Sequence, residues 1–336
     1  MKRRSFFWVS LGRFAKNKLA LLGVAMVIAF ALAGAAHPIL MSTVWDRATY
    51  HPSYGHDDIE TEFVIVENIT DPATEIDLMT ARLSNPFYQV GDIHTAVTFP
   101  PPFTKKHILG VDNLGRDVLS MVLAATRPSF IVGLSAGIST AIVGLIFSKI
   151  AATFRRWVDT ILSNVSDALL VLPAPLLMVI LGAGPFRAQL GPVVFGLIYG
   201  LVMGAGAAAV VMRSQALSVL AKPFIDAAAV AGANRYQIIK NHLLPHLVPI
   251  AALYLLLGVS GAIVADGFVS FLGFSDTRLN WGTIIFFALA LPPANRAGIP
   301  WEALVSAAGA ITLFSAAFYM IGLGVRDIAK PHNNRS

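Results

Sequence analysis

The chain has 336 residues, of which 56% are hydrophobic and only 13% are charged, and its formal net charge is +6. Because soluble domains carry about 25% charged residues, this composition excludes an ordinary soluble protein and predicts one that crosses a membrane. There is no cysteine, so disulfides and thiolate metal sites are excluded. The basic residues lie between apolar runs instead of forming one patch, and no nucleic-acid partner is expected.

The N-terminal segment, residues 1–18, mixes basic and aromatic residues and is typical of a cytoplasmic stretch at the lipid headgroups. Arg3 and Arg4 also resemble a twin-arginine export signal, and residues 33–35 resemble a cleavage site. Further apolar spans follow and the leader would be unusually long, which disfavours a signal peptide. The first span is predicted at 19–40, so residues 1–40 form the first region.

Residues 41–125 are rich in acidic side chains and differ from the rest of the chain. Two short β-prone runs, at 63–66 and 96–99, predict strands, and three prolines at 100–102 break the chain. We interpret residues 41–125 as an extracytoplasmic insertion between the first two spans. It is too short and too charged to be a strong independent domain.

Five more apolar runs follow, each close to the length of a membrane helix. They predict spans at 128–150, 161–181, 192–212, 247–272 and 303–325. Pro173 and Pro175 interrupt the third span, where prolines are tolerated if neighbours satisfy the freed carbonyls. Basic residues dominate both termini and the loop 214–245, so the positive-inside rule places these parts in the cytoplasm. The predicted fold is therefore an all-α, multi-pass protein of the cell membrane, with six transmembrane helices, a core at 126–326 and a tail at 327–336.

The loop 214–245 has the pattern of two short helices separated by a glycine. Pro223 suits a first helical turn, and Asp226 lies where a negative charge is favourable. Alanines then favour a helix, which Gly232 can end in the left-handed conformation.

The second short helix is expected to be capped by Asn234 and stopped by Pro245. This pattern fits two structures, a rigid cytoplasmic knob that binds another protein or a plain hairpin between spans.

Several stretches of the chain are similar, in order, to segments of one family. They are His107–Ser120, Arg213–Leu217, the loop itself, Ser270–Phe274, Asn280–Gly282 and Gly322–Asp327. In these stretches the chain resembles binding-protein-dependent ABC importer permeases, and in particular the C-type subunit of oligopeptide and dipeptide importers. The loop 214–245 is similar to the family's "EAA" coupling loop.

The resemblance implies the type I ABC importer permease fold, in which the chain supplies half of a translocation pathway. It implies a homologous second permease subunit, two cytoplasmic ABC ATPase subunits, an extracytoplasmic substrate-binding protein and membrane lipid as partners. ATP and Mg would then be bound by the ATPases. No cofactor, metal or catalytic residue is expected in this chain, which has no phosphate loop of the Gly-x-x-x-x-Gly-Lys-Ser/Thr type. Members of this subunit type serve peptides, nickel, glutathione or oligosaccharides, so the solute stays open.

The resemblance also assigns the residues that contact the ATPase. They are Phe224, Asp226, Ala227, Ala228, Gly232, Ala233 and Pro245. Three positions depart from the family's pattern, because Ala229 and Val210 stand where arginine is common and Leu323 where aspartate is common. These departures remove polar contacts and indicate weaker coupling or a divergent branch. The insertion, at 41–104, is long for the family, and its position and acidity suggest that it contacts the binding protein.

Three polar residues in the predicted spans or at their ends are candidates for function, since ionisable groups in a membrane are functional by default. They are Asp167, Asp266 and Arg213. The aspartates can line the pathway or meet a peptide amine; the alternative is a bond between helices or a place near the membrane edge. Met203 and Met212 are expected to pack rather than to form a metal path.

Two further groups of polar residues lie before the second span. The spacing of His51, His56, His94 and His107 fits no standard ligand motif, so no metal site is predicted. The charges within 110–120 are expected to pair locally and fix the start of the second span, or else to contact the partner permease.

Two other functions stay open on the sequence alone. A self-contained secondary transporter would show an inverted repeat and an ion site at mid-membrane, and neither is clear. A membrane scaffold with the insertion as its working part would leave the coupling-loop pattern unexplained.

Overall fold

The computed structural model describes residues 14–57, 59–71, 74–98, 104–154, 157–185, 189–274, 279–290 and 299–329. The chain divides into two compact units. One contains residues 1–35, 125–283 and 309–336, and the other contains residues 36–124 and 284–308.

Within the described residues, five helices are long and apolar enough to cross a membrane. They are α1 (Lys18–Thr43), α4 (Val118–Thr153), α7 (Pro192–Leu220), α9 (Arg235–Phe271) and α11 (Trp301–Ala329). A sixth span arises if the bent pair α5 (Trp157–Val171) and α6 (Ala174–Ala183) counts as one. The helices therefore support the predicted polytopic all-α class.

The third predicted span is two helices rather than one. The helices α5 and α6 meet at an angle of 78°. Pro173 is the N-cap of α6, with Pro175 in its first turn. Proline lacks the N–H that would continue a helix, and its ring clashes with the preceding turn. The two prolines thus break this span instead of merely interrupting it.

Two predicted boundaries of the loop 214–245 are corrected by the structure. The helix α7 continues to Leu220, beyond the predicted end at 212, and α9 begins at Arg235 instead of 247. Backbone hydrogen bonding continues where the side chains become polar. Hydropathy alone therefore predicted an end of α7 that is too early and a start of α9 that is too late. Only residues 221–234 remain between the two helices.

The expectation that Pro245 stops a helix is wrong. The helix α9 passes through it, and a π-helical turn at Ile239–Leu243 comes immediately before. A π-turn widens the helix by one residue, which gives room for a ring that would otherwise clash with the carbonyl four residues earlier. Pro249 also lies within the same helix.

A short helix, α10 (Trp281–Ala290), lies in a stretch that was predicted as a loop. Its ten residues are too few for a span, so hydropathy did not detect it. Its first residue, Trp281, is buried against the rings of Phe30 and Phe314, with centroids 5.7 and 5.4 Å away. Residues 291–298, which follow this helix, lie outside the described residues.

The helical core is built from small residues that let the helices approach closely. An added Cβ at Gly204 would lie 2.9 Å from the carbonyl oxygen of Thr140, and one at Gly144 would lie 2.9 Å from Cβ of Ala208. The small side chains at 204–209 thus allow another helix to approach closely. The buried side chain of Met212 packs in the same cluster, which supports packing rather than a metal path.

The unit that contains the insertion holds a three-stranded sheet. Its strands are β1 (Ile59–Val66), β2 (Glu75–Asp77) and β3 (Ile93–Thr98), in the order β2-β1-β3. The strand β1 runs parallel to β2 and antiparallel to β3. Two short helices, α2 (Arg47–Tyr50) and α3 (Leu78–Ser84), belong to the same unit. The predicted strand content of the insertion is therefore confirmed.

Candidate functional site

The segment between α7 and α9, residues 221–234, is called here the coupling segment. It contains one helix, α8 (Pro223–Val230), with Pro223 in the first turn and Asp226 in the position predicted for it. Ile225 is buried, and the ring of Phe224 stacks on His246 with centroids 6.2 Å apart. These two side chains attach a short helix to the start of α9.

The end of α8 is fixed by a backbone motif that requires glycine. Gly232 has φ +90°, the left-handed region that side chains with a Cβ disfavour. Its N–H donates to the carbonyl of Ala229, and the N–H of Ala233 donates to the carbonyl of Ala228, both at 3.0 Å. This pair of bonds is the Schellman motif, and it confirms the predicted conformation of Gly232.

The next helix begins immediately after this motif. The side chain of Asn234 accepts a hydrogen bond from the N–H of Gln237, and the Gln237 side chain accepts one from the N–H of Asn234. This capping box confirms the predicted cap. The coupling segment is therefore closed at both ends by hydrogen bonds, and its backbone is held in one conformation.

The coupling segment presents most of its side chains to the surface of this chain. Val230 is 90% exposed and Phe224 is 40% exposed, while Asp226 and Ala227 are also exposed. Of the predicted contact residues, six lie together in this segment. The seventh, Pro245, lies within α9 and not in the segment.

Arg213 is paired with an acid that the sequence analysis did not select. Its Nε and Nη2 donate to the two carboxylate oxygens of Asp159, at 2.5 and 2.7 Å. Asp159 lies in the first turn of α5 and Arg213 lies in α7. Asp159 precedes the predicted third span at 161–181 and was therefore not among the polar residues selected from the spans.

Asp167 lines a small cavity of about 60 Å³ together with Arg213, Ser163, Ser166 and Val210. The hydroxyl of Ser166 donates to the carbonyl of Ala205, in the π-helical turn Gly204–Ala208 of α7. The cavity has room for water but not for a solute as large as a peptide.

Asp266 is buried in α9 and accepts a hydrogen bond of 2.8 Å from Nδ2 of Asn280. The same Nδ2 lies 2.6 Å from the hydroxyl of Ser270. Asn280 precedes α10, and its Oδ1 accepts from the N–H of Thr283. Of the two alternatives for Asp266, the geometry favours a bond between helices.

The charges of residues 110–120 pair locally. Arg116 forms a buried ion pair with Asp112 at 2.5 Å, and its guanidinium lies 4.7 Å from the ring centroid of Phe287. Asp117 accepts from the N–H of Ser120 at 2.7 Å and so caps α4. Local pairing that fixes the start of the second span is thus observed in this chain.

The part of the chain that contains the coupling segment matches a known protein family. Residues 121–331 match the family described as "Binding-protein-dependent transport system inner membrane component". The chain belongs to this family. The matched residues include α5 to α9 and the coupling segment, so the family assignment and the segment's geometry concern the same part of the permease.

Curated relatives of the permease cover most of its length. A putative peptide transport system permease protein of Brucella suis is 33% identical over 69% of this chain and 76% of its own. The dipeptide transport system permease protein of Bacillus subtilis is 30% identical over 72% of this chain and 73% of its own. The oligopeptide transport system permease protein of Haemophilus influenzae is 29% identical over 69% and 72%. This chain is thus a multi-pass membrane component of an ABC importer, which acts in a complex with partner subunits.

Proposed function

We propose that this permease is a transmembrane subunit of an ATP-driven importer for peptides, supplying half of the translocation pathway. The observation that carries the proposal is the coupling segment, a short helix closed at both ends and exposed between two long helices. The peptide solute is supported by the permease's relatives, which are peptide, dipeptide and oligopeptide transport permeases.

The coupling segment would bind a cytoplasmic ABC ATPase. Two such ATPases, with ATP and Mg, would close and move the attached helices between inward- and outward-open states. A second permease subunit would complete the pathway, and an extracytoplasmic binding protein would deliver the solute. With the coupling segment and both termini in the cytoplasm, the insertion would lie outside.

Uptake assays with and without the ATPases test this proposal. Peptide uptake should require the ATPase subunits and should be lost in a host from which they are deleted. Uptake that persists without any ABC ATPase would identify a self-contained secondary transporter instead. ATPase-dependent uptake of nickel, glutathione or an oligosaccharide, without uptake of peptides, would show that the solute is not a peptide. It would still support the assignment as an ABC importer subunit.

A further inference from the structure

His107 is fully buried and has a carboxylate at each ring nitrogen. Its Nδ1 lies 2.8 Å from Oδ2 of Asp117, and its Nε2 lies 2.9 Å from Oδ2 of Asp57. Asp117 directly precedes α4, whereas Asp57 follows α2 in the insertion, and all three residues belong to one compact unit. The imidazole therefore joins the stretch 47–57 to the start of α4.

A second set of contacts joins the same two parts. The ammonium of Lys106 lies 2.6 Å from Oδ2 of Asp57. The hydroxyl of Ser120 donates to the carbonyl of Tyr50, and the Tyr50 hydroxyl donates to the carbonyl of Lys106. The N–H of Asp57 donates to the carbonyl of Gly115 at 3.1 Å.

Other titratable groups lie near this cluster in the same part of the chain. They are Tyr50, whose ring centroid lies 5.7 Å from that of His107, Asp112 and Arg116, which pair with each other, Arg47 and His51 of the α2 region, and His37, whose Nε2 lies 3.3 Å from the Ser120 hydroxyl. Lys106 is therefore the cation in direct contact with the three-residue cluster, among the residues that the structure describes.

The cluster needs one more proton than it holds when His107 is neutral and both carboxyl groups are ionised. A neutral imidazole has a single N–H, and an ionised carboxylate has none. Two short nitrogen–oxygen contacts require two hydrogens, because otherwise a lone pair of nitrogen faces a lone pair of oxygen. Neutral His107 between two carboxylates would leave one of its two contacts without a hydrogen.

The surroundings decide where the additional proton lies. Burial opposes ionisation of Asp57, but hydrogen bonds from Lys106 and His107 outweigh it and lower the pKa of this carboxyl. Burial raises the pKa of Asp117 despite hydrogen bonds from the Ser120 N–H and from His107. Asp57 thus stays ionised and accepts from Nε2, and the additional proton belongs to the contact between Nδ1 of His107 and Oδ2 of Asp117.

We propose that Asp57, His107 and Asp117 form a binding site for one proton, and that this proton fastens the stretch 47–57 to the start of α4. With the proton bound and Lys106 included, the charges of the four residues sum to zero. Without it, a buried net negative charge remains and the contact to Asp117 becomes repulsive. No step of the proposed transport cycle uses this site, so its failure would leave the proposed function intact.

The sign of the pH dependence follows from this count. The fastened state binds the proton more tightly than the released state. The fastened state is therefore stable at low pH and is lost as the pH rises through the value at which it gives up the proton. Protonation of Asp57 would act in the opposite direction and only in acid, because its pKa is lowered. Linkage to one proton weakens the fastened state by about tenfold per pH unit between the pH at which the released state loses this proton and the higher pH at which the fastened state loses it.

Hydrogen exchange of the full-length permease in lipid nanodiscs, with its copurified partners, measures this equilibrium. The reporter is the peptide that covers residues 47–57, and its rates are corrected for the base-catalysed intrinsic rate. In the native chain, exchange of this peptide should accelerate by about tenfold per pH unit within that window and level off above it. Corrected exchange that is independent of pH would overturn the proposal.

Asp117→Asn is the decisive variant. Its amide can donate to Nδ1 of a neutral His107 while its oxygen still accepts from the Ser120 N–H, so it imitates the protonated site. Exchange of 47–57 should stay slow at alkaline pH in this variant. Asp46→Asn, the same change at an exposed residue, should behave like the native chain. His107→Phe should release the stretch at every pH. An alkaline acceleration in Asp117→Asn equal to that of the native chain would overturn the proposal.

Discussion

The guanidinium of Arg213 in α7 donates two hydrogen bonds to the carboxylate of Asp159 in α5. Both side chains are half-buried. A two-point contact of this kind fixes the orientation of one helix against the other as well as their separation. Because α7 leads directly into the coupling segment, the pair connects the broken span to the part that we propose binds the ATPase.

A double-mutant cycle should detect this pair. Arg213→Gln and Asp159→Asn should each lower the free energy of unfolding, with a coupling of about 1–3 kcal/mol between them. Asp226→Asn, at an exposed carboxylate, serves as the control and should change stability by less than about 0.5 kcal/mol. Denaturation in mixed micelles measures the free energy of unfolding of the native chain, the two single variants and the double variant. Additive effects of Arg213→Gln and Asp159→Asn would show that the pair contributes nothing.

Substitutions at two positions of the coupling segment should have different effects, one on the stability of the chain and the other on binding of the ATPase. Ile225 is 6% exposed and Val230 is 90% exposed in the same helix. Ile225→Ala should destabilise the chain by about 2–5 kcal/mol, the range for buried isoleucine. Val230→Ala should leave the stability of the chain unchanged and weaken binding of the ATPase. Equal effects of the two variants on unfolding would contradict the anchoring of α8 by Ile225.

Asp266 should act on stability rather than on the choice of solute. Asp266→Ala removes the acceptor of the Asn280 amide and should lower the free energy of unfolding by about 1–3 kcal/mol. Uptake of cationic and anionic peptides should fall by the same factor in this variant, since the side chain bonds another part of the chain. A selective loss of cationic peptides would place Asp266 in the pathway instead.

The acidic insertion offers a test of its proposed contact with the binding protein. Glu60 and Glu62 are exposed and alternate along β1, so they project from the same face of the sheet. Glu60→Gln together with Glu62→Gln should weaken docking of the binding protein in nanodiscs. Asp46→Gln serves as an exposed control outside the sheet. Unchanged docking affinity in the double variant would exclude this face of the insertion.

Much of the fold followed from sequence because hydropathy and local capping are short-range signals. The conformation of Gly232 and the cap at Asn234 depend on neighbouring residues, and both are confirmed. The same reasoning failed at Pro245, because the π-helical turn before it compensates for the missing N–H. Composition gives no signal for such a turn.

The ion pairs were harder to predict because they join residues far apart in sequence. Asp159 and Arg213 are separated by a broken span, and Asp57 and His107 by the whole sheet. Arg213 and His107 stood out in their own segments, but nothing in the sequence identified Asp159 and Asp57 as their partners. The sequence identified Asp266 as a polar residue of a span and Asn280 as part of a family stretch, but it could not show that they touch, since this depends on the packing of α10.

The most direct test of the account is copurification of the permease from its native host in mild detergent, with identification of bound proteins by mass spectrometry. The native chain should carry a second permease and ABC ATPases. Gly232→Val, which forces a branched side chain into the left-handed region, should lose the ATPases but still insert into the membrane. Gly191→Val is the matched control, because an added Cβ there meets open space at a negative φ. A native chain that purifies without ATPases and still transports, or a Gly232→Val chain that retains them, would contradict the account.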